Sequence, residues 1–139
     1  MILMAGQRVV LTEKAERTLI ALRDQARARQ DTNSFPATRD LLVELENCAD
    51  PFAPARALVG GLSTVFQIDN GVIRLYYTRL GSTVPTIAIL HITHQITPRT
   101  APYSVFAQLI LSGRYDDLFR KLGVPVPDEC QNGAKPTLQ

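Results

Sequence analysis

The fold of this chain is decided by residues 65–77, VFQIDNGVIRLYY. Asn70-Gly71 is the strongest short-range signal for a β-hairpin, because both residues tolerate the positive φ of a two-residue turn. If these two residues form the loop, Gln67 faces Arg74 across the hairpin. Strand alternation then predicts one apolar face and one polar face. The apolar face carries Phe66, Ile68, Ile73 and Leu75, and the polar face carries Gln67, Arg74 and Tyr76.

Two helical patterns precede the hairpin. Residues 8–11, RVVL, predict a short edge strand, and Thr12 offers a side-chain oxygen that can cap a helix. The first helix has an apolar stripe at spacings of three and four, formed by Leu11, Ala15, Leu19, Leu22 and Ala26. A second helix is expected over about residues 36–47, ending before Pro51 because the residue before a proline disfavours helix. Its expected buried side is Thr38, Leu41, Leu42 and Leu45.

A nearly continuous β-branched segment follows the hairpin. Residues 85–93, PTIAILHIT, are typical of a central strand that is covered on both faces. Further along, Pro102 opens an expected helix, and residues 114–122 form another amphipathic segment that Gly123 ends. The predicted fold class is α+β: an N-terminal strand and a helical hairpin packed on a small antiparallel sheet, followed by C-terminal helices.

Length and composition are those of a small globular protein. The 139 residues are 45% hydrophobic and 20% charged, which predicts one domain over residues 1–124, extended by helices from about 102, and a flexible tail over 125–139. The start is too short for a signal peptide and no segment suits a membrane span, so a cytoplasmic location is expected. The net charge of +2 permits a nucleic acid or an acidic protein as partner. The two cysteines lack metal-ligand spacing, so a structural zinc site is not expected. No metal and no cofactor is expected for the chain.

Three local patterns, taken in order, resemble the RelE/ParE toxin superfamily over about residues 8–103. RALVGGL at 56–62 is similar to the family's Leu-x-Gly-x-Leu entry into the sheet. IRLYY at 73–77 is close to its strand of aliphatic, Arg, aliphatic, any residue and Tyr. ILHITH at 89–94 resembles its hydrophobic strand that runs into a basic turn. The order strand, helix, helix, hairpin, central strand, helix is also that of the family.

The resemblance implies the toxin of a bacterial type II toxin–antitoxin pair. RelE-like members cleave mRNA in the ribosomal A site without a metal, whereas ParE-like members bind DNA gyrase. An antitoxin silences both kinds. The implied partners are therefore a cognate antitoxin and either the ribosome with mRNA or gyrase, in a homodimer or a toxin–antitoxin hetero-oligomer. The chain departs from RelE-like nucleases where Val65, Phe66 and Gln67 replace the usual lysines or glutamate, and where Gln95 replaces an arginine.

The candidate site residues follow from the chemistry of metal-free RNA cleavage. That reaction needs a base for the 2′-OH, positive charge at the phosphate and a proton for the leaving oxygen. Arg74 is the candidate for the charge, and His94 is the candidate acid or base because an ordinary imidazole has a pKa of about 6.5. Tyr103 completes the candidate catalytic set, and the resemblance places a proton-donating or base-stacking tyrosine there. The candidate substrate-binding residues are Arg99, Tyr76, Gln67 and Gln95.

Each of these residues also has a simpler structural interpretation. Arg74 could be solvated or paired on a half-exposed sheet, and Tyr103 could hold the last helix against the core. His91 lies three positions before His94, on the opposite face of the strand, and is interpreted as a hydrogen-bonded core imidazole. Because Arg74 is assigned to the polar face, Arg74→Ala is expected to leave the fold intact.

Three hypotheses for function remain open at this point. The first is a ribosome-dependent mRNA endonuclease with Arg74 and His94 at its centre. The second is a non-catalytic toxin that inhibits gyrase by surface contact. The third is a degenerate family member that serves only as a binding module, self-associating through the apolar helix around Phe106 and Ile110.

Overall fold

The computed structural model describes residues 8–58, 64–81, 86–94, 110 and 112–124. Within them the fold is α+β, as the sequence predicts. The elements are β1 (Arg8–Leu11), α1 (Glu13–Arg27), α2 (Ser34–Glu46), a 3₁₀ turn (Pro54–Arg56), β2 (Val65–Asp69), β3 (Ile73–Leu80), β4 (Thr86–His94) and α3 (Asp116–Leu122). The expected helix from Pro102, most of the segment around Gly60-Gly61 and the tail from residue 125 lie outside the described residues.

The four strands form one sheet in the order β1-β4-β3-β2. β4 lies in the interior of this sheet and residues 86–90 are all buried, which confirms the predicted central strand. β2, β3 and β4 pair antiparallel, as expected. β1 is an edge strand, but it pairs with β4 in parallel, so the complete sheet is mixed rather than antiparallel.

Thr12 joins the first strand, the first helix and the central strand. Its Oγ1 accepts a hydrogen bond from the Ala15 backbone N–H at 3.3 Å, which confirms the predicted N-cap. The same hydroxyl donates to the Ile89 carbonyl oxygen at 2.7 Å. Since Thr12 is only 7% exposed, this buried hydroxyl has both a donor and an acceptor role satisfied, and it fixes where α1 begins relative to β4.

The hairpin forms where the sequence predicts it, but its register is shifted by two residues. Asp69 pairs with Arg74 and Gln67 pairs with Tyr76, so the expected pairing of Gln67 with Arg74 is wrong. The turn is centred on Gly71-Val72, because the Asn70 N–H donates to the Ile73 carbonyl. The Asn70 side chain stabilises this turn by accepting from the backbone N–H groups of residues 72 and 73. A two-residue shift leaves every side chain on its predicted face.

A β-bulge interrupts the pairing of the two central strands. Tyr76 pairs with His91, but Tyr77 pairs with Ile89, so Leu90 is the extra residue on β4. A bulge breaks the alternation of side chains along its strand. Residues of β4 beyond the bulge therefore face the opposite way from what uninterrupted alternation would give.

Both faces of the sheet are covered. The first face packs on the helical hairpin of α1 and α2, and its buried residues are Ala15, Leu22, Leu41, Leu45, Ile68, Ile73, Leu75, Tyr77, Ile87, Ile89 and Ile92. The second face packs on α3 and the turn before it, through Leu58, Val65, Tyr76, Leu90, Ile110, Tyr115 and Phe119. Gly123 ends α3 with a φ of 75°, as its position in the sequence predicts. The hairpin face that was expected to be polar is thus buried and forms one side of a second hydrophobic core.

Candidate functional site

The structure describes four of the seven candidate site residues. Arg74, Tyr76 and Gln67 lie together on the second face of the sheet, as the face assignment predicts. His94 is described at the end of β4. The remaining three, Gln95, Arg99 and Tyr103, lie outside the described residues.

Arg74 is enclosed by protein. Its side chain is 1% exposed, and its Nη2 lies 3.5 Å from Asp69 Oδ2, whose side chain is 11% exposed. Nε and Nη2 have no hydrogen-bond partner within the part of the chain that the structure describes. The expectation that Arg74 lies on a half-exposed sheet is therefore wrong, whereas the alternative that it is paired agrees with its contact to Asp69.

Tyr76, which is hydrogen-bonded to Arg74 on this face, belongs to a group of rings with His91 and Tyr115. Tyr76 is 1% exposed and its ring stacks on the His91 ring at a centroid distance of 6.1 Å. Burial raises the pKa of the Tyr76 phenol, and a hydrogen bond from Arg74 partly opposes that rise. The Tyr115 hydroxyl lies 3.4 Å from His91 Nδ1, and burial raises the pKa of Tyr115 to about 12. Both phenols are therefore protonated at neutral pH.

His91 is neutral at physiological pH. Burial, followed by the nearby positive charge of Lys14, lowers the pKa of its imidazole to about 4. The interpretation of His91 as a core imidazole agrees with this packing between Tyr76 and Tyr115. A histidine with this pKa carries almost no proton at pH 7, so it is poorly suited to act as a general acid there.

His94 lies on the other face of the sheet. It pairs with Ile73, which belongs to the core beneath the helical hairpin. Its Nε2 lies 2.9 Å from Ser34 Oγ and 3.4 Å from Asp31 Oδ2, both near the start of α2. The prediction that His91 and His94 face opposite ways is confirmed. The sheet therefore separates His94 from Arg74 in this structure.

Asp31 organises the polar cluster around His94. Its Oδ2 accepts from the Ser34 hydroxyl at 2.5 Å, and its Oδ1 accepts from the backbone N–H groups of Asn33 and Ser34. These hydrogen bonds, the Ser34 hydroxyl first, together with one from His94, lower the pKa of Asp31 to about 2. Ser34 Oγ contacts both Asp31 and His94, whereas a catalytic triad requires the histidine between the other two groups. The cluster therefore connects the loop before α2, through Asp31 and Ser34, to His94 at the end of β4.

Comparison with solved structures finds a likeness to a toxin–antitoxin complex. A chain of the toxin–antitoxin complex RelBE2 from Mycobacterium tuberculosis is 23% identical, with a TM-score of 0.43 over 66% of this chain and 100% of that chain. No protein-family model matches the sequence, and no curated protein matches it significantly. The likeness alone assigns neither family nor activity.

The described residues also bear on cofactors and membranes. Among them, no group of three or more His, Cys, Asp or Glu side chains is arranged to hold a metal ion. No helix in the described ranges is long and apolar enough to cross a membrane.

The sequence does not identify three neighbours of the candidate site. A loop of Asn70-Gly71 places Asp69 at the end of the first hairpin strand, opposite Val72, whereas in the structure Asp69 is the ion-pair partner of Arg74. The sequence predicts a core position for His91 but not its neighbour Tyr76, because the bulge next to His91 has no sequence signal of its own. Tyr115 was recognised as apolar surface of a helix, and its contact with His91 depends on how that helix docks.

Proposed function

We propose that this chain is the toxin of a type II toxin–antitoxin module and that it acts by binding a protein target rather than by cleaving RNA. The observation that carries the second half of this proposal is the burial of Arg74. A phosphate-binding arginine must reach its ligand, and this side chain is 1% exposed and paired with Asp69.

Two observations support the proposal that the chain is a toxin: the sequence resemblance and the order of the helices and strands. The three motifs that resemble the RelE/ParE superfamily occur in the family's order along the chain. The described elements follow that order as well: strand, two helices, hairpin, central strand and a C-terminal helix. On this proposal the module works in the cytoplasm, and the partner that silences the chain is an antitoxin in a hetero-oligomer.

RNA cleavage would need an acid or base and a cation at the same phosphate. The acid or base His94 and the cation Arg74 stand on opposite faces of the sheet, so one phosphate cannot contact both in this arrangement. His91 shares the face of Arg74, but its pKa of about 4 leaves it without a proton to donate near neutral pH. A non-catalytic toxin needs none of these groups at its surface, and DNA gyrase is the target that the ParE-like resemblance implies.

Expression in a bacterial host combined with assays in purified systems tests this proposal. We expect induction of the chain to arrest growth, and a reporter mRNA in a purified translation system to remain intact in primer extension. Inhibition of supercoiling by purified gyrase would identify the target. Discrete cuts in the message would overturn the protein-binding mode, whereas absence of growth arrest would overturn the toxin assignment.

A folding-deficient variant provides the control. Phe119 is fully buried against the second face, so Phe119→Asp places a charge in the core and is expected to unfold the chain. Growth arrest by the parent chain together with normal growth on induction of this variant would tie the effect to the folded protein.

A further inference from the structure

A positively charged groove lies between α1 and α3. It has a volume of about 210 Å³ and lies outside the residues used in the proposed function. Its cationic walls are Lys14 and Arg17 from α1, and Arg114 and Lys121 from α3 and the turn before it. Tyr115 and Leu118 supply the apolar part of the lining.

The carboxylates of the groove do not neutralise its cations. Glu13 pairs with Arg17 at 3.9 Å, and both side chains are mostly exposed, so this pair is weak. Asp117 pairs at 3.1 Å with Arg120, which is not one of the residues that line the groove. Within the described residues, three groove cations have no acidic partner: Lys14, Arg114 and Lys121.

One of these cations is held in place before any ligand arrives. Lys14 Nζ lies 4.8 Å from the centroid of the Tyr115 ring, in cation–π geometry. Tyr115 itself is 1% exposed and packs in the second core. A cation fixed in this way loses less conformational freedom when it binds an anion than a free lysine does.

We propose that this groove binds an acidic, linear segment of a partner protein. The volume is below the roughly 300–1,000 Å³ of pockets that enclose a drug-sized ligand, so separate side chains fit better than a whole nucleotide. Glu13 and Asp117 in the lining would repel a continuous phosphate backbone, whereas a peptide can space its carboxylates to avoid them. Leu118 offers an apolar contact that a peptide side chain can use and a phosphate cannot.

The test is fluorescence anisotropy with the full chain and a short fluorescein-labelled peptide of Glu, Asp and Leu. We expect saturable binding that weakens as salt rises, because exposed charges are screened. Reversal of two groove cations, Lys14→Glu with Lys121→Glu, should weaken binding by about tenfold or more. The matched control is Arg27→Glu with Arg39→Glu, which makes the same charge change at exposed positions elsewhere and should bind like the parent.

Several outcomes would overturn the proposal. These are failure of the parent to bind the peptide, an equal loss of affinity in the groove and control variants, or tighter binding of a single-stranded oligonucleotide that the groove variant abolishes. If the reversal variant fails to fold, as judged by circular dichroism, Lys14→Gln with Lys121→Gln makes the same comparison. Growth arrest and supercoiling assays do not depend on this peptide, so failure here is distinct from failure of the proposed function.

Discussion

Arg74 and Asp69 form an ion pair in the interior of the protein, with Nη2 3.5 Å from Oδ2 and side chains 1% and 11% exposed. The two residues are directly opposed across the hairpin, so the pair joins the two strands next to their turn. In an environment of low polarity, loss of either partner leaves the other as an uncompensated buried charge. The expectation that Arg74→Ala leaves the fold intact is revised accordingly.

Asp69→Ala is expected to lower the free energy of unfolding by about 3–5 kcal/mol, because it leaves the Arg74 guanidinium buried and unpaired. Urea denaturation followed by circular dichroism measures this change. Asp40→Ala is the control, since Asp40 is exposed and should change stability by less than about 0.5 kcal/mol. Adding Arg74→Met to Asp69→Ala should recover part of the loss; a double variant as unstable as the sum of the singles would contradict the pairing.

Asp31 should make the protein less stable in strong acid. Its pKa falls from the ordinary 3.8 to about 2 in the folded state, chiefly because the Ser34 hydroxyl donates to it. Between these pH values the unfolded chain binds a proton that the folded chain does not, so this stabilisation is complete above pH 4 and is lost as pH falls toward 2. We expect Ser34→Ala to flatten that part of the stability profile, measured by urea denaturation at each pH; an unchanged slope would rule out the hydrogen bond as the cause.

His91 should affect the free energy of unfolding over a higher range of pH than Asp31 does. Its pKa falls from 6.5 to about 4 on folding, so the unfolded chain takes up the proton first. The stability that neutral His91 contributes is therefore fully present above about pH 6.5 and is lost as the pH falls toward 4. His91→Phe keeps a ring against Tyr76 but removes the titration, and it should abolish this slope. The direct measurement is the NMR titration of the His91 ring, and a midpoint near 6.5 would show that the ring is solvated.

Replacement of Gly71 in the hairpin turn by alanine should destabilise the protein. Its φ is 91°, and a Cβ built there would meet no atom within 4 Å, so Gly71→Ala is opposed by backbone conformation alone. We expect a loss of about 1–2 kcal/mol. Gly81→Ala is the matched control, because the same space is open there and φ is not in the left-handed region. It should be neutral or stabilise by less than about 1 kcal/mol. Equal costs at the two positions would argue against the observed turn.

The features that the sequence predicted correctly are those with local causes. The Thr12 cap, the end of α3 at Gly123 and the existence of a hairpin between β2 and β3 each depend on a few neighbouring residues. The buried stripe of α2 followed in the same way from helical spacing, with Leu41 and Leu45 fully buried.

What was not predicted depends on contacts between distant residues. The hairpin register is set by Asn70, whose side chain bonds the turn from outside the loop and moves its centre by one residue. The burial of Tyr76 involves packing with Phe119 and Tyr115, which are far along the chain. The side on which His94 lies is set by the bulge at Leu90, and alternation alone cannot reveal a bulge.

The parallel pairing of β1 has a consequence for synthesis on the ribosome. Thr12 bonds to Ile89, 77 residues later in the chain, so the first strand emerges long before its partner exists. At about 5–20 residues per second, this delay is roughly 4–15 s. Throughout that interval the nascent segment presents an unpaired strand edge, which is the kind of surface that chaperones capture. β1 therefore cannot take its place in the sheet until β4 has been translated.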